Sequence, residues 1–170
     1  SEKTPQERIE DAHRELQASL AKELLDRISA SSPVAFERLV IQLLLRMGYG
    51  GGDRDASEHL GGSGDGGVDG VINQDVLGLD RVYVQAKRWK ESVGVDRIYA
   101  FAGSLEVKKA TKGVILTTSS FTDGARKALQ SLGKRVVLID GDELVRLMMS
   151  FGLGVRTIKD YAILAPDADA

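Results

Sequence analysis

The 170-residue sequence contains no cysteine. Disulfides and thiolate metal sites are therefore excluded, and any metal must be held by oxygen or imidazole ligands. Imidazole is itself scarce: His13 and His59 are isolated and carry no assigned role. The lack of cysteine suits a reducing compartment, and a cytoplasmic setting is expected. No apolar run approaches the ~20 residues that cross a bilayer. The opening stretch, SEKTPQER, is polar and unlike a secretory signal. The first residue is Ser rather than Met, which leads us to expect a processed product or a fragment with domains missing upstream. A strong net charge is also lacking. Lys and Arg number 23, Asp and Glu 25, for a net −2, which is little attraction for a polyanion. Two common ligand loops are missing too. The glycine-rich stretch has no Gly-Lys-Ser/Thr ending, so it is not a nucleotide phosphate loop. Asp53-x-Asp55-x-Ser57 begins like a calcium loop, but Glu58 stands where glycine is needed.

What is present describes a globular protein: 42% hydrophobic and 28% charged residues, enough chain for one domain with an appendage. Charge is unevenly spread. Residues 30–80 hold three basic and eight acidic groups, whereas residues 81–112 hold eight basic and three acidic. Such neighbouring blocks either form two solvated surfaces or set metal-holding carboxylates beside phosphate-holding cations.

Thr4-Pro5-Gln6-Glu7 is a capping box with proline at the first helical position. Ile9, Ala12, Leu16, Leu20, Leu24 and Ile28 follow at helical spacing, predicting a connector helix over residues 1–30. Ser31-Ser32-Pro33 starts a second helix that ends near Gly48, and residues 50–67 form a loop rich in Gly, Asp and Ser. Strands are predicted at Val68–Asn73 and Arg81–Arg88, joined as an antiparallel hairpin. A helix at Val95–Val107, a strand at Gly113–Thr118, a helix at Thr122–Leu132, a strand at Arg135–Asp140 and a helix at Asp142–Met149 complete the pattern. The last two strands are expected to be parallel because a helix separates them. The fold class is α/β, a mixed central sheet flanked by helices. Residues 31–150 form the principal domain, followed by a tail, 151–170, of unassigned role.

Chemistry concentrates on the second strand. Gln85 and Lys87 are two apart and share a face, while Val82, Val84 and Ala86 occupy the other. The hairpin brings Asp69 within reach of Gln85. A carboxylate and an amide oxygen suit a hard cation, and a nearby ammonium suits the negative charge of phosphodiester hydrolysis. A strand whose Gln and Lys simply face solvent accounts for the same pattern. Asp65 competes with Asp69 but falls in the loop. Glu37 shares a stripe with Ile41 and Leu44; it either answers the helix dipole or serves as a metal ligand, directly or through a water.

The order Glu37, Asp69, Gln85-Ala86-Lys87 resembles the PD-(D/E)xK nuclease superfamily, in a variant with Gln in place of the second acid. More closely, the sequence resembles the catalytic domain of Mrr-type (methylated adenine recognition and restriction) endonucleases. The resemblance is carried by FERLVIQLLLRMGYG at 36–50, GGSGDGGVDGVI at 61–72, VYVQAKRW at 82–89, KGVILTTSSFTDGAR at 112–126 and VVLIDGDELVRLM at 136–148. It implies a restriction-endonuclease-like αβββαβ core and divalent-metal-dependent cleavage of double-stranded DNA, chiefly methylated. Magnesium is the implied metal, with manganese as the alternative. Asp69, Gln85, Lys87 and Glu37 would be the catalytic residues, with Asp69, Gln85 and Glu37 as metal ligands. Arg88, Lys90 and Ser119 are candidates for phosphate contact; ordinary solvation of a strand end and helix capping by Ser120 or Thr122 are the alternatives. Trp89 suits either DNA contact or packing. Cutting both strands with one site per chain implies a homo-oligomer. Family members usually carry an N-terminal winged-helix domain, which is not visible here. The competing expectation is a catalytically weak DNA-binding module or an oligomerising fragment that needs such a domain.

Overall fold

A computed structural model of the chain describes residues 2–51 and 70–168. Helix α1, Pro5–Ala30, opens with the capping box in place. The Glu7 N–H donates to Thr4 Oγ1 (3.2 Å) and the Thr4 N–H donates to Glu7 Oε2 (2.6 Å). That backbone donor, with the Thr4 hydroxyl, holds the Glu7 carboxyl below the usual carboxylate range. Only the last third of the apolar stripe is used: Leu24 and Ile28 are buried, while Ile9 and Leu16 are exposed. Helix α2, Pro33–Arg46, is capped by Ser32, which accepts from the Ala35 N–H, and it buries Phe36, Val40, Leu43 and Leu44. It gives way at Gly48, whose positive φ of 98° suits glycine.

Strands β1 (Gly70–Asn73) and β2 (Arg81–Lys87) pair antiparallel, with Gly70 opposite Val84 and Asn73 opposite Arg81. The Asp75 carboxylate organises their connection. It accepts from the backbone N–H groups of Asp80 (2.6 Å), Leu77 (2.9 Å) and Leu79 (3.2 Å). Those bonds, led by Asp80, hold its carboxyl below the usual range. After α3 (Val95–Val107), strand β3 (Lys112–Thr117) pairs parallel with β2. Then α4 (Asp123–Ala128) leads to β4 (Arg135–Ile139), parallel to β3, and to α5 (Gly141–Ser150). The sheet order is β1-β2-β3-β4. The helix expected at Thr122–Leu132 is shorter: α4 ends at Ala128 and continues as a 3₁₀ turn over Leu129–Ser131. Leu132 N–H there bonds the Leu129 carbonyl, and the Ser131 hydroxyl takes the carbonyl of Ala128.

The fold is thus the expected mixed sheet with helices on both faces. One face, through Val84, Ala86, Val114 and Leu116, packs with the end of α1, α2 and α5. The other, through Tyr83 and Ile115, packs with Ile98, Phe101 and Leu105 of α3 and with α4. Two strands lie between α2 and α3 among the described residues; the predicted loop from residue 52 on, and Val68 of the first predicted strand, lie outside them. Residues 155–168 form no helix or strand, and Ile158, Tyr161 and Leu164 there are exposed. Among the described residues no helix is long and apolar enough to cross a membrane.

Candidate active site

The parallel arrangement of β2, β3 and β4 gathers their carboxyl ends at one edge of the molecule. Lys87 stands opposite Thr117, and Leu116 opposite Ile139. Open α/β sheets bind ligands at such ends. Gln85 lies two pairs back from Lys87, opposite Ile115. It is only 5% exposed, so a solvent-facing strand is excluded for this residue. Its Oε1 is buried and has no hydrogen-bond partner among the described residues. An unpaired buried acceptor costs about 1–3 kcal/mol, which calls for a compensating role. Lys87 is half-buried and, by strand alternation, shares the face of Gln85.

Asp69 and Asp65 lie outside the described residues, so the trio expected from the sequence is described only in part. Glu37 is half-buried on α2, which packs on the sheet face opposite to that of Gln85 and Lys87. No hydrogen bond or ion pair joins Glu37 to either residue. The helix-dipole explanation for Glu37 fails, because it lies beyond the first turn of α2, which contains no acidic residue.

The candidate phosphate contacts separate. Arg88 turns away from Lys87: its Nη1 donates to the carbonyl of Ser29 at 3.1 Å, near the end of α1. Its Nε is buried and, like Gln85 Oε1, lacks a partner among the described residues. Lys90 is exposed and, with Trp89, Ser92 and Arg97, lines a cleft of ≈ 280 Å³. Ser119 is half-buried. Its N–H donates to Thr117 Oγ1 (3.1 Å) and its carbonyl accepts from Gly141 N–H (2.8 Å), so its hydroxyl is what remains to offer a ligand. Thr122, not Ser120, caps α4 by accepting from Ala125 N–H. Ser120 instead shares a 2.7 Å hydroxyl bond with Ser92.

Trp89 is half-buried and packs on the α3–α4 side, the packing alternative named for it. Three features escaped the sequence. The Arg97 guanidinium lies 5.4 Å from the Trp89 ring centroid. Thr118 Oγ1 donates to the Trp89 carbonyl (3.2 Å), tying the end of β3 to the chain just beyond Lys87. Asp140 caps α5 through Glu143 N–H and also pairs with Arg126 at 2.9 Å. The first two join residues eight or more apart across a strand end, where no periodicity signals them.

Among the described residues no three His, Asp or Glu side chains converge. Gln85 fits a hard cation: a neutral oxygen, buried, fixed on a central strand and unpaired among the described residues.

The restriction endonuclease family model Mrr_cat matches residues 28–148. The chain belongs to the Mrr-type restriction endonuclease family. The type IV methyl-directed restriction enzyme EcoKMrr of Escherichia coli (strain K12) is 47% identical over 154 residues, covering 91% of this chain and 50% of that protein. The chain therefore spans about half the length of this curated relative. Among solved structures, the MspJI restriction endonuclease in complex with a 27-mer oligonucleotide is similar with a TM-score of 0.52 and 25% identity, over 78% of this chain and 31% of that one. The family match takes in α2, the whole sheet and most of α5, so the strand ends that gather Gln85 and Lys87 lie within it. Membership in a restriction endonuclease family implies dependence on a divalent metal.

Proposed function

We propose that this chain is the cleavage domain of a restriction endonuclease that hydrolyses phosphodiester bonds in methylated double-stranded DNA, with magnesium or manganese. The observation that carries the proposal is the buried Gln85 Oε1, without a hydrogen-bond partner among the described residues, two residues before Lys87 on a strand inside the family match. Gln85 and Asp69 would hold the metal. Gly70, which follows Asp69 in the chain, pairs with Val84, the residue before Gln85, and this supports the pairing of the two ligands. When bound, the metal lowers the pKa of an attacking water and polarises a phosphate oxygen.

The remaining work falls to the protein's own groups. The Lys87 ammonium orients the water and meets the negative charge that builds on the phosphorus oxygens. Burial of Gln85 fixes its oxygen before substrate arrives, so no reordering is needed at reaction. Glu37 lies on α2, across the sheet from Gln85 and Lys87, and would join them only through a water reached around the strand ends. Lys90 and Ser119 would contact backbone phosphates; Arg88 is occupied elsewhere. With a net charge of −2, the chain would depend on a further module for tight DNA binding and for choosing methylated targets. Two chains would associate to cut both strands, in the cytoplasm.

Incubating supercoiled, methylated plasmid with the protein and magnesium tests this. Nicking or linearisation that stops with chelator supports the proposal. DNA binding without cutting under every metal tried would favour a DNA-binding module.

A further inference from the structure

We propose that Arg88 is a positioning residue: by clasping the end of α1 from the back of β2, it holds Lys87 in place for DNA cleavage. This rests on the function proposed above. As the residue after Lys87, Arg88 points to the opposite side of the sheet, where α1, α2 and α5 pack. It cannot face the same phosphate from there.

Its partner is specific. Ser29 lies in the last turn of α1, where backbone carbonyls lack intrahelical donors and a cation is favoured. Neighbouring groups are already engaged: the Ile28 carbonyl takes the Ser31 N–H and hydroxyl, and Arg27 pairs with Glu23 at 2.5 Å. The Ser29 carbonyl is met by Arg88, from 59 residues away. Stability alone does not explain the choice of arginine, because its Nε is left buried with no partner among the described residues. Lysine would make the same bond without that orphan. Arginine's rigid planar fork fixes direction, as a clasp requires.

The α1 end is itself firmly referenced to the strand ends. A Cβ on Gly141, at the start of α5, would come within 2.4 Å of the Thr118 carbonyl oxygen and 2.8 Å of Leu25 Cδ1. So α1, the end of β3 and α5 come together at Leu25, Thr118 and Gly141, and Arg88 ties the end of β2 to the same helix α1 at Ser29.

The test compares Arg88→Met and Arg88→Lys with wild type by steady-state cleavage, salt dependence of DNA binding, thermal melting and amide hydrogen exchange. We expect R88M to lower kcat about ten-fold or more, with KM and salt slope unchanged and faster exchange over residues 26–30. R88K, which keeps the charge but not the planar fork, should recover only a minor part of kcat. A rise in KM with a salt slope reduced by about 1 would make Arg88 a phosphate contact and overturn the proposal. An unchanged kcat despite faster exchange, or a lower melting temperature as the sole effect, would make it merely structural. Unchanged exchange in R88M overturns the clasp whether or not the protein cuts. Failure of wild type to cut DNA overturns the nuclease assignment instead.

Discussion

Gln85 stands opposite Ile115 in the parallel pair of β2 and β3, an amide 5% exposed beside an isoleucine 0% exposed. An apolar residue would suit that place better. Gln85→Leu should therefore raise stability by about 1 kcal/mol, read from urea unfolding, since it removes a buried acceptor with no partner among the described residues. The same change should abolish cleavage. A variant that is less stable, or equally active, would show that Gln85 serves the fold.

Asp75 links hairpin order to pH. Its folded pKa is depressed by the backbone donors of Asp80, Leu79 and Leu77. The stabilisation is thus complete above the unfolded pKa of about 4 and is lost as pH falls through the lower folded value. Amide protection of residues 77–80 should fall on acidification below about pH 4. In Asp75→Ala the protection should be low at neutral pH already and insensitive to pH. Hydrogen exchange across that range checks both.

Gly141 sets how closely α5 approaches the end of β3. Gly141→Ala places a methyl against the backbone oxygen of Thr118, which cannot rotate away. A loss of about 1–3 kcal/mol is expected in denaturant unfolding, with an unchanged m-value. The helix itself gains from alanine, so a stabilised variant would mean that the two elements sit farther apart.

Much of this was legible in the residues. Period-two alternation correctly set Val84 and Ala86 against one layer and paired Gln85 with Lys87 on the other face. Capping chemistry placed the start of α1 at Thr4, and Ser31-Ser32-Pro33 marked the start of α2. The residue pattern failed where long side chains or distant surfaces decide. Arg88 looked like a phosphate contact because nothing local shows that Ser29 lies within its reach. The stripe from Ile9 to Ile28 predicted one continuous apolar face, yet only its end is buried, at Leu24 and Ile28. Glu37 was placed on an apolar stripe, but which sheet face α2 covers depends on the order of layers, which spacing does not encode. Gln85 was the ambiguous case: composition favoured an exposed side chain, and burial between β1 and β3 decided otherwise.

The most direct test of the central claim is single-turnover cleavage of methylated supercoiled plasmid with magnesium, comparing wild type with Lys87→Ala. Wild type should nick or linearise the plasmid, and chelator should stop it. Lys87→Ala should be slower by about 100-fold or more at unchanged DNA affinity, since it removes one charge aimed at the developing phosphorane. Cleavage by Lys87→Ala at the wild-type rate would contradict the site proposed here.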